Sequence, residues 1–154
     1  MITIARGGVR VSHERGARLT TRLSRRQPRS LMAGPVIFVV DDDASVRRAV
    51  RRLVSSLQYA VRTFASAEQF LAHADRGTPG CLILDMRLPG MSGLQLQTQL
   101  NAEEWRLPVI FVTANEDLRS REVALRGGAV NYLNKPFECQ VLLQSVRQAM
   151  REQQ

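Results

Sequence analysis

The stretch from Val36 to Arg48 reads VIFVVDDDASVRR and decides the fold. Its first five residues form an apolar run rich in β-branched side chains, typical of a strand that is buried on both faces. Three aspartates follow, and apolar residues with helical spacing begin at Ala44. A buried strand that leads through a short polar turn into a helix predicts the first unit of a parallel sheet.

The same alternation recurs along the rest of the chain. Strands are predicted at Val36–Val40, Val61–Phe64, Cys81–Leu84, Pro108–Val112 and Val130–Leu133, and helices at Ala44–Leu57, 66–74, 94–102, 117–126 and 138–151. Ser66 and Gln69 have the spacing of a capping box, and Gly127-Gly128 can provide a left-handed helix end. Five such pairs predict a doubly wound α/β fold with a five-stranded parallel sheet and helices on both faces.

The positive charge is concentrated at the N-terminus. The chain has 154 residues and a formal net charge of +8. Residues 1–35 contain eight arginines and one acid, whereas 14 bases and 13 acids follow from Val36 onward. We therefore expect two parts: an Arg-rich, disordered N-terminal extension over residues 1–33, and one folded, nearly neutral domain over residues 34–152.

Three interpretations of residues 1–33 remain open from the sequence. In the first, translation starts at Met32, so the assigned start lies too far upstream and residues 1–31 are not part of the natural protein. The segment can be a genuine basic arm that binds nucleic acid, or an organellar transit segment. The segment has the composition of a transit segment or of a nucleic-acid-binding tail, but it contains no motif of either.

Composition also excludes several classes of protein. No apolar run approaches the roughly 20 residues that cross a bilayer, and no secretory signal precedes the domain, so we expect neither export nor a membrane location. Cys81 and Cys139 are too few and too far apart for a disulfide framework or a metal cluster. We interpret both as buried or half-buried small apolar residues in a cytoplasmic protein.

Chemically versatile residues follow four of the predicted strands. They are Asp41 and Asp42, Asp85, Thr113 and Lys135. The carboxyl ends of parallel strands meet at one edge of a doubly wound sheet, where ligands bind. Carboxylates gathered there repel one another unless a cation lies among them, and oxygen ligands without His or Cys favour Mg²⁺. Taken singly, each residue has an ordinary structural explanation; Asp43, for example, suits a helix N-cap.

Asp85 is the candidate nucleophile of this edge. A carboxylate can attack phosphorus and form an acyl phosphate. Thr113 can then donate its hydroxyl group to one phosphoryl oxygen, and Lys135 can neutralise another. Five such residues at four strand ends indicate a phosphoryl-accepting site.

Four segments carry a resemblance to a known family. VIFVVDDDASVRR, CLILDMRLPGMSG, PVIFVTAN and YLNKPF closely resemble the response-regulator receiver domain of two-component systems, over Val36 to about Met150. The resemblance implies the flavodoxin-like strand order 2-1-3-4-5, with Asp85 as phosphoacceptor. It also implies that Asp41, Asp42, Asp85 and the backbone carbonyl of Arg87 hold Mg²⁺, Asp41 acting through water, and that the Lys135-Pro136 peptide bond is cis.

The resemblance further implies a switch. Thr113 would move toward the phosphoryl group and the ring of Tyr132 would turn inward, which alters the face formed by the fourth helix, the fifth strand and the fifth helix. A tyrosine in a strand is equally often an amphipathic surface residue. Arg87 and Asn115 would tune how long the phosphoryl group lasts, and the small Ala114 would leave access to a phosphodonor. With Arg87 at this position, the chain resembles the receivers of nitrogen-fixation regulators.

The partners follow from the same resemblance. A sensor histidine kinase would phosphorylate Asp85, and the altered face would act on a downstream protein, on an output domain in transcription regulation, or on a second copy as a homodimer. Such a switch is a phosphoacceptor and not an enzyme in the ordinary sense. Direct DNA binding would require an additional domain. The chain is either a stand-alone receiver or part of a longer regulator.

Three other classes compete with this interpretation. An aspartate-nucleophile phosphohydrolase would carry a second acid two residues after the nucleophile, where this chain has Arg87. A nucleic-acid-binding protein would act through residues 1–33. A degenerate receiver that is never phosphorylated would lack some of the key residues, whereas all five positions are filled here.

Overall fold

The computed structural model describes residues 34–114 and 116–153. Five strands alternate with five helices along this part of the chain. The strands are β1 (Val36–Val40), β2 (Ala60–Phe64), β3 (Gly80–Leu84), β4 (Val109–Thr113) and β5 (Asn131–Asn134). The helices are α1 (Ala44–Ser55), α2 (Ala67–His73), α3 (Gly93–Ala102), α4 (Leu118–Arg126) and α5 (Cys139–Arg151).

The strands form one parallel sheet in the order β2-β1-β3-β4-β5. This confirms the predicted doubly wound, flavodoxin-like fold. The strand order reverses between β1 and β3, which is where such sheets open a crevice at their carboxyl edge. β2 lies at one edge of the sheet, and Ala60 and Arg62 on it are exposed, whereas all five residues of β1 are buried.

Two apolar layers enclose the sheet because successive residues of a buried strand point to opposite faces. Phe38 packs on one face in a cluster with Phe70 and Phe111, and its neighbour Ile37 packs on the other face in a cluster with Ile110. On the first face the ring of Phe70 lies 5.3 Å from that of Trp105 in a stacked arrangement. These layers fix the positions of the strand ends that carry the site.

The helix ends differ in detail from those predicted. Ser66 caps α2 by accepting the backbone N–H of Gln69, but the side chain of Gln69 accepts the N–H of Ala65 instead of that of Ser66. The complete capping box lies at the start of α3, between Ser92 and Gln95. α4 ends at Arg126, and of the two glycines that follow, Gly128 alone has the left-handed conformation, with φ 94°.

The two cysteines differ from each other. Cys81 is fully buried, and burial raises the pKa of its thiol to about 12, in agreement with an unreactive core residue. Cys139 is exposed at the first position of α5, so the expectation of a buried or half-buried residue was wrong there. Phe137, in the turn between β5 and α5, is half-buried against the core, whereas Cys139 two residues later faces solvent. Residues 1–33, for which an extension was predicted, lie outside the described residues.

None of the helices in the described ranges combines the length and the apolar character needed to cross a membrane.

Candidate functional site

The carboxyl edge of the sheet brings the predicted polar residues together. Asp41 and Asp42 follow β1, Asp85 follows β3, Thr113 is the last residue of β4 and Lys135 follows β5. The Nζ atom of Lys135 lies 2.8 Å from Oδ2 of Asp41 and 3.4 Å from Oδ2 of Asp85. Residues up to 94 positions apart in sequence therefore meet at one point.

Three of these residues can hold a metal ion. One carboxylate oxygen from each of Asp41, Asp42 and Asp85 lies within 4.8 Å of the others. Asp41 and Asp85 are buried, whereas Asp42 is exposed and leaves the group open to solvent. A set of hard oxygen donors with an open side suits Mg²⁺, which keeps several of its waters when it binds to proteins. The residues present therefore fit the predicted ion.

The environment of Asp85 disfavours its negative charge. Burial raises the pKa of its carboxyl group above the ordinary value, and the charge of Asp41 adds to this effect. The charge of Lys135 and the N–H group of Arg87, which donates to Oδ1 of Asp85 over 3.2 Å, act in the opposite direction without cancelling it. A cation bound beside this largely buried carboxylate would therefore stabilise its charged form.

Lys135 supplies the positive charge of the site. Burial by itself lowers the pKa of its ammonium group, but the hydrogen bond to Asp41 and the negative charges of Asp85 and Asp41 outweigh burial, so the pKa is raised. The group is therefore charged at neutral pH. The peptide bond between Lys135 and Pro136 is cis, as the resemblance implied.

The three consecutive aspartates in the turn between β1 and α1 make different contacts. Asp43 caps α1, because its Oδ1 accepts the backbone N–H of Ser45 over 2.8 Å. Oδ1 of Asp41 accepts the N–H of Asp43 over 2.9 Å. Arg47 donates from Nη1 to the backbone carbonyl of Asp41 over 2.7 Å, a contact that sequence reasoning missed and that no sequence pattern signals. Hydrogen bonds thus fix both the side chain and the backbone carbonyl of Asp41, whereas Asp42 is exposed to solvent.

Thr113 and Tyr132 lie on the neighbouring strands β4 and β5. Both are buried, with exposed fractions of 1% and 4%. The ring of Tyr132 packs in a tilted arrangement against that of Phe111, 6.0 Å between centroids. Burial and then the charge of Asp117 raise the pKa of the Tyr132 hydroxyl group. The alternative that Tyr132 is a surface residue was wrong, since the sheet face there is covered by α4.

The residues predicted to control access lie around the opening. Arg87 and Ala114 are both exposed. Asn115, predicted to tune the phosphoryl lifetime, lies outside the described residues.

The loop from Asp85 to α3 contains a contact that was not predicted. Glu68 of α2 accepts the backbone N–H of Met91 over 2.7 Å. The capping box of Ser92 and Gln95 that ends this loop was missed as well, although the spacing Ser-x-x-Gln before an apolar run is a signal that could have found it. The contact of Glu68 joins elements 23 residues apart and leaves no trace in a single sequence.

A five-stranded 2-1-3-4-5 sheet whose carboxyl edge gathers three aspartates, a threonine and a lysine defines a receiver domain. The chain belongs to the response regulator receiver domain family, whose family model matches residues 37–147. It is thus a receiver domain of a two-component response regulator.

Curated relatives share this domain. The chain is 42% identical to Nodulation protein W of Bradyrhizobium diazoefficiens, over 72% of this chain and 49% of that protein. It is 43% identical to Transcriptional regulatory protein TdiR of Thauera aromatica, over 74% of this chain and 50% of that protein. The chain therefore spans about half the length of the curated relatives it matches.

Solved structures of response regulators are similar to this chain as well. Response regulator StyR is 45% identical, with a TM-score of 0.74 over 79% of this chain and 61% of that chain. FixJ-N is 32% identical, with a TM-score of 0.71 over 78% of this chain and 96% of that chain.

Proposed function

We propose that Asp85 accepts a phosphoryl group from the phosphohistidine of a sensor histidine kinase, and that the chain acts as a switch instead of a turnover enzyme. The observation that carries the proposal is the meeting of three carboxylates within 4.8 Å beside the ammonium group of Lys135. A phosphohydrolase would need a second acid two residues after the nucleophile, and Arg87 occupies that position.

Mg²⁺ would be held by Asp42, Asp85 and the backbone carbonyl of Arg87, with Asp41 acting through water. When bound, the ion would neutralise the charge that develops on the phosphoryl oxygens. The fit is supported by the open, exposed position of Asp42 beside the two buried carboxylates.

The transfer step needs little from the protein beyond position and charge. An oxygen of Asp85 attacks phosphorus as the bond from phosphorus to the donor's imidazole nitrogen breaks, and the imidazole leaves with that electron pair and takes up a proton. The ammonium group of Lys135 already lies 3.4 Å from Oδ2 of Asp85 and would neutralise a phosphoryl oxygen. The product is an acyl phosphate on Asp85.

The hydroxyl group of Thr113 would donate to another phosphoryl oxygen and thereby couple the site to Tyr132 and to the face formed by α4, β5 and α5. Ala114, small and exposed, would leave the approach to phosphorus open, and Arg87 and Asn115 would tune the lifetime of the acyl phosphate. α4 presents three exposed apolar side chains, Leu118, Val123 and Leu125, with exposed fractions of 78%, 49% and 42%. Leu118 and Leu125 are seven residues apart and therefore lie on one side of the helix, where they suit docking on a partner or on a second copy.

The output would come from a downstream protein or from an output domain, in the control of transcription. This is supported by the names of relatives such as Transcriptional regulatory protein TdiR, of which the chain covers about half. Direct DNA binding would belong to such a domain. The phosphorelay would operate in the cytoplasm.

Intact mass after incubation with acetyl phosphate and Mg²⁺ tests the proposal. We expect a gain of one phosphoryl group that disappears in Asp85→Asn and on chelation. Beryllofluoride, which mimics an acyl phosphate without being hydrolysed, covers the case of a short lifetime, and oligomeric state is measured with it in parallel. The proposal would be ruled out if no adduct formed and if beryllofluoride left the amide chemical shifts of the protein unchanged.

A further inference from the structure

The loop that leaves Asp85 is held at its two ends by the core and by α3. The side chains of Met86 and Leu88 are buried, with exposed fractions of 5% and 8%. At the far end, Gly93 donates its N–H to the carbonyl of Met86 over 3.0 Å. The middle, Pro89 and Gly90, is exposed and receives no such support from the core.

Glu68 of α2 contacts Met91, the residue that follows this middle part and whose half-buried side chain packs against the core. Its Oε1 atom accepts the N–H of Met91 over 2.7 Å, and this hydrogen bond holds the pKa of the Glu68 carboxyl group below its usual range. Gly90 has φ 76°, a left-handed conformation, and a Cβ placed there would lie 2.5 Å from Oε1 of Glu68. The turn at Gly90 is thus shaped so that the carboxylate can reach the backbone.

The same loop contacts Asp85 at its other end. The N–H of Arg87 donates to Oδ1 of Asp85 over 3.2 Å, at the upper end of the range for such bonds. Arg87 and Met91 are four residues apart, and the segment between them turns at Pro89-Gly90. A displacement at Met91 would reach Arg87 through Pro89-Gly90 and Leu88, and the buried side chain of Leu88 would reduce it on the way.

We infer that Glu68 is a positioning residue for the site: by holding the backbone at Met91, it keeps the backbone of Arg87 in place against Asp85. For its consequence on Mg²⁺ binding the inference rests on the proposed function, because the carbonyl of Arg87 is one of the groups proposed to hold the ion. Outer partners of this kind orient the groups that contact a metal.

A purely structural role for Glu68 makes a different prediction. Glu68 is the acid in the first turn of α2, where a negative charge stabilises the helix. Glu68→Gln loses that charge but keeps an oxygen that can accept the N–H of Met91, whereas Glu68→Ala loses both. A helix-dipole role would make the two variants alike, and a positioning role separates them.

The test uses the full chain with Glu68→Ala, Glu68→Gln and, as a control for loss of an exposed helix acid, Glu122→Ala. Amide exchange of Met91 and the amide chemical shift of Arg87 are measured without metal, and the affinity for Mg²⁺ is then measured by titration. For Glu68→Ala we expect about ten-fold faster exchange at Met91, a shifted Arg87 amide, and Mg²⁺ binding weakened by about ten-fold. Glu68→Gln and Glu122→Ala should stay close to the wild type.

A further variant displaces the loop directly and serves as a positive control. Gly90→Ala strains a left-handed turn and places a methyl group against Oε1 of Glu68, so it should displace the Arg87 amide whether or not Glu68 holds Met91. Unchanged Met91 and Arg87 amides in Glu68→Ala, or equal effects of Glu68→Ala and Glu68→Gln, would overturn the inference. A wild type that binds no Mg²⁺ would overturn the proposed function instead, since the metal-free amides still decide the role of Glu68.

Discussion

Lys135 lies closer to Asp41 than to Asp85: its Nζ atom is 2.8 Å from Oδ2 of Asp41 and 3.4 Å from Oδ2 of Asp85. The lysine therefore makes its shorter hydrogen bond to the carboxylate that is not the proposed phosphoacceptor and shares its positive charge between the two. Asp85 keeps an incompletely balanced charge in a buried position, and its pKa is raised. A bound metal ion would therefore stabilise the charged form of Asp85, and a phosphodonor would react with it.

The pair of Lys135 and Asp41 should be coupled in stability. We expect Lys135→Met to lower the free energy of unfolding by about 1–3 kcal/mol in metal-free buffer, because Asp41 is left buried without a counter-charge. Asp41→Asn should remove most of that cost when combined with it. A double-mutant cycle from urea unfolding measures the coupling, and strictly additive effects would contradict it.

The pH dependence of stability should report on Asp85. Because its pKa in the folded protein lies above the ordinary value, the folded state holds this proton more tightly than the unfolded chain. The contribution to stability is full below the ordinary carboxyl pKa and is lost as pH rises through the raised value. Without Mg²⁺, Asp85→Asn should therefore become more stable relative to the wild type as pH rises through that window.

Urea unfolding of both proteins in chelator, from about pH 4 to pH 8, measures this difference. Glu122→Gln, which changes an exposed carboxylate, is the control. A difference between Asp85→Asn and wild type that stays flat across the range would show that Asp85 is not strained in the folded state.

Mg²⁺ should stabilise the folded protein. At a free concentration ten times the dissociation constant we expect a gain of about 1.4 kcal/mol, since the unfolded chain has no assembled site. Asp42→Asn and Asp85→Asn should each lose most of this gain, while Asp43→Asn, whose side chain caps α1, should keep it. Thermal unfolding with and without Mg²⁺ measures the effect, and equal gains in all four proteins would contradict the assigned ligands.

The contact between α3 and α4 should contribute to stability through Gln97. This side chain is 4% exposed and donates from Nε2 to the carbonyl of Ala124 over 2.9 Å. Gln97→Leu should cost about 1–2 kcal/mol, at the lower end for a buried bond, because that carbonyl also accepts the N–H of Ala129. Asn101→Ala removes an exposed bond to Gly127 and should cost less than about 0.5 kcal/mol. Equal costs in denaturant unfolding would show that burial is not the deciding factor.

Much of the site could be predicted because it lies at the ends of strands. The apolar runs before Asp41 and Asp85 identify buried strands from local sequence, and parallel pairing then brings their ends together whatever the loops do. Lys135 and Thr113 follow from the same rule. The contacts of Arg47 and Glu68 could not be predicted, because each joins a side chain to a backbone group whose position depends on how helices pack.

Tyr132 and Cys139 show the limit of a period-based prediction. Both stand beside apolar residues, yet the ring of Tyr132 is buried and the thiol of Cys139 is exposed. For Tyr132, alternation along the strand indicates two faces, and the helix that packs on one of them decides which face is covered. For Cys139, the position at the start of α5 and the packing of that helix decide the exposure.

The sequence by itself determined the order of strands and helices, the class of fold and the residues that meet at the carboxyl edge, because periodicity and strand ends are local properties of the chain. The tertiary structure decided which carboxylate Lys135 approaches most closely, and that Glu68 reaches Met91. Both contacts join elements far apart in sequence, and the distances between those elements are set by the packing of the whole core.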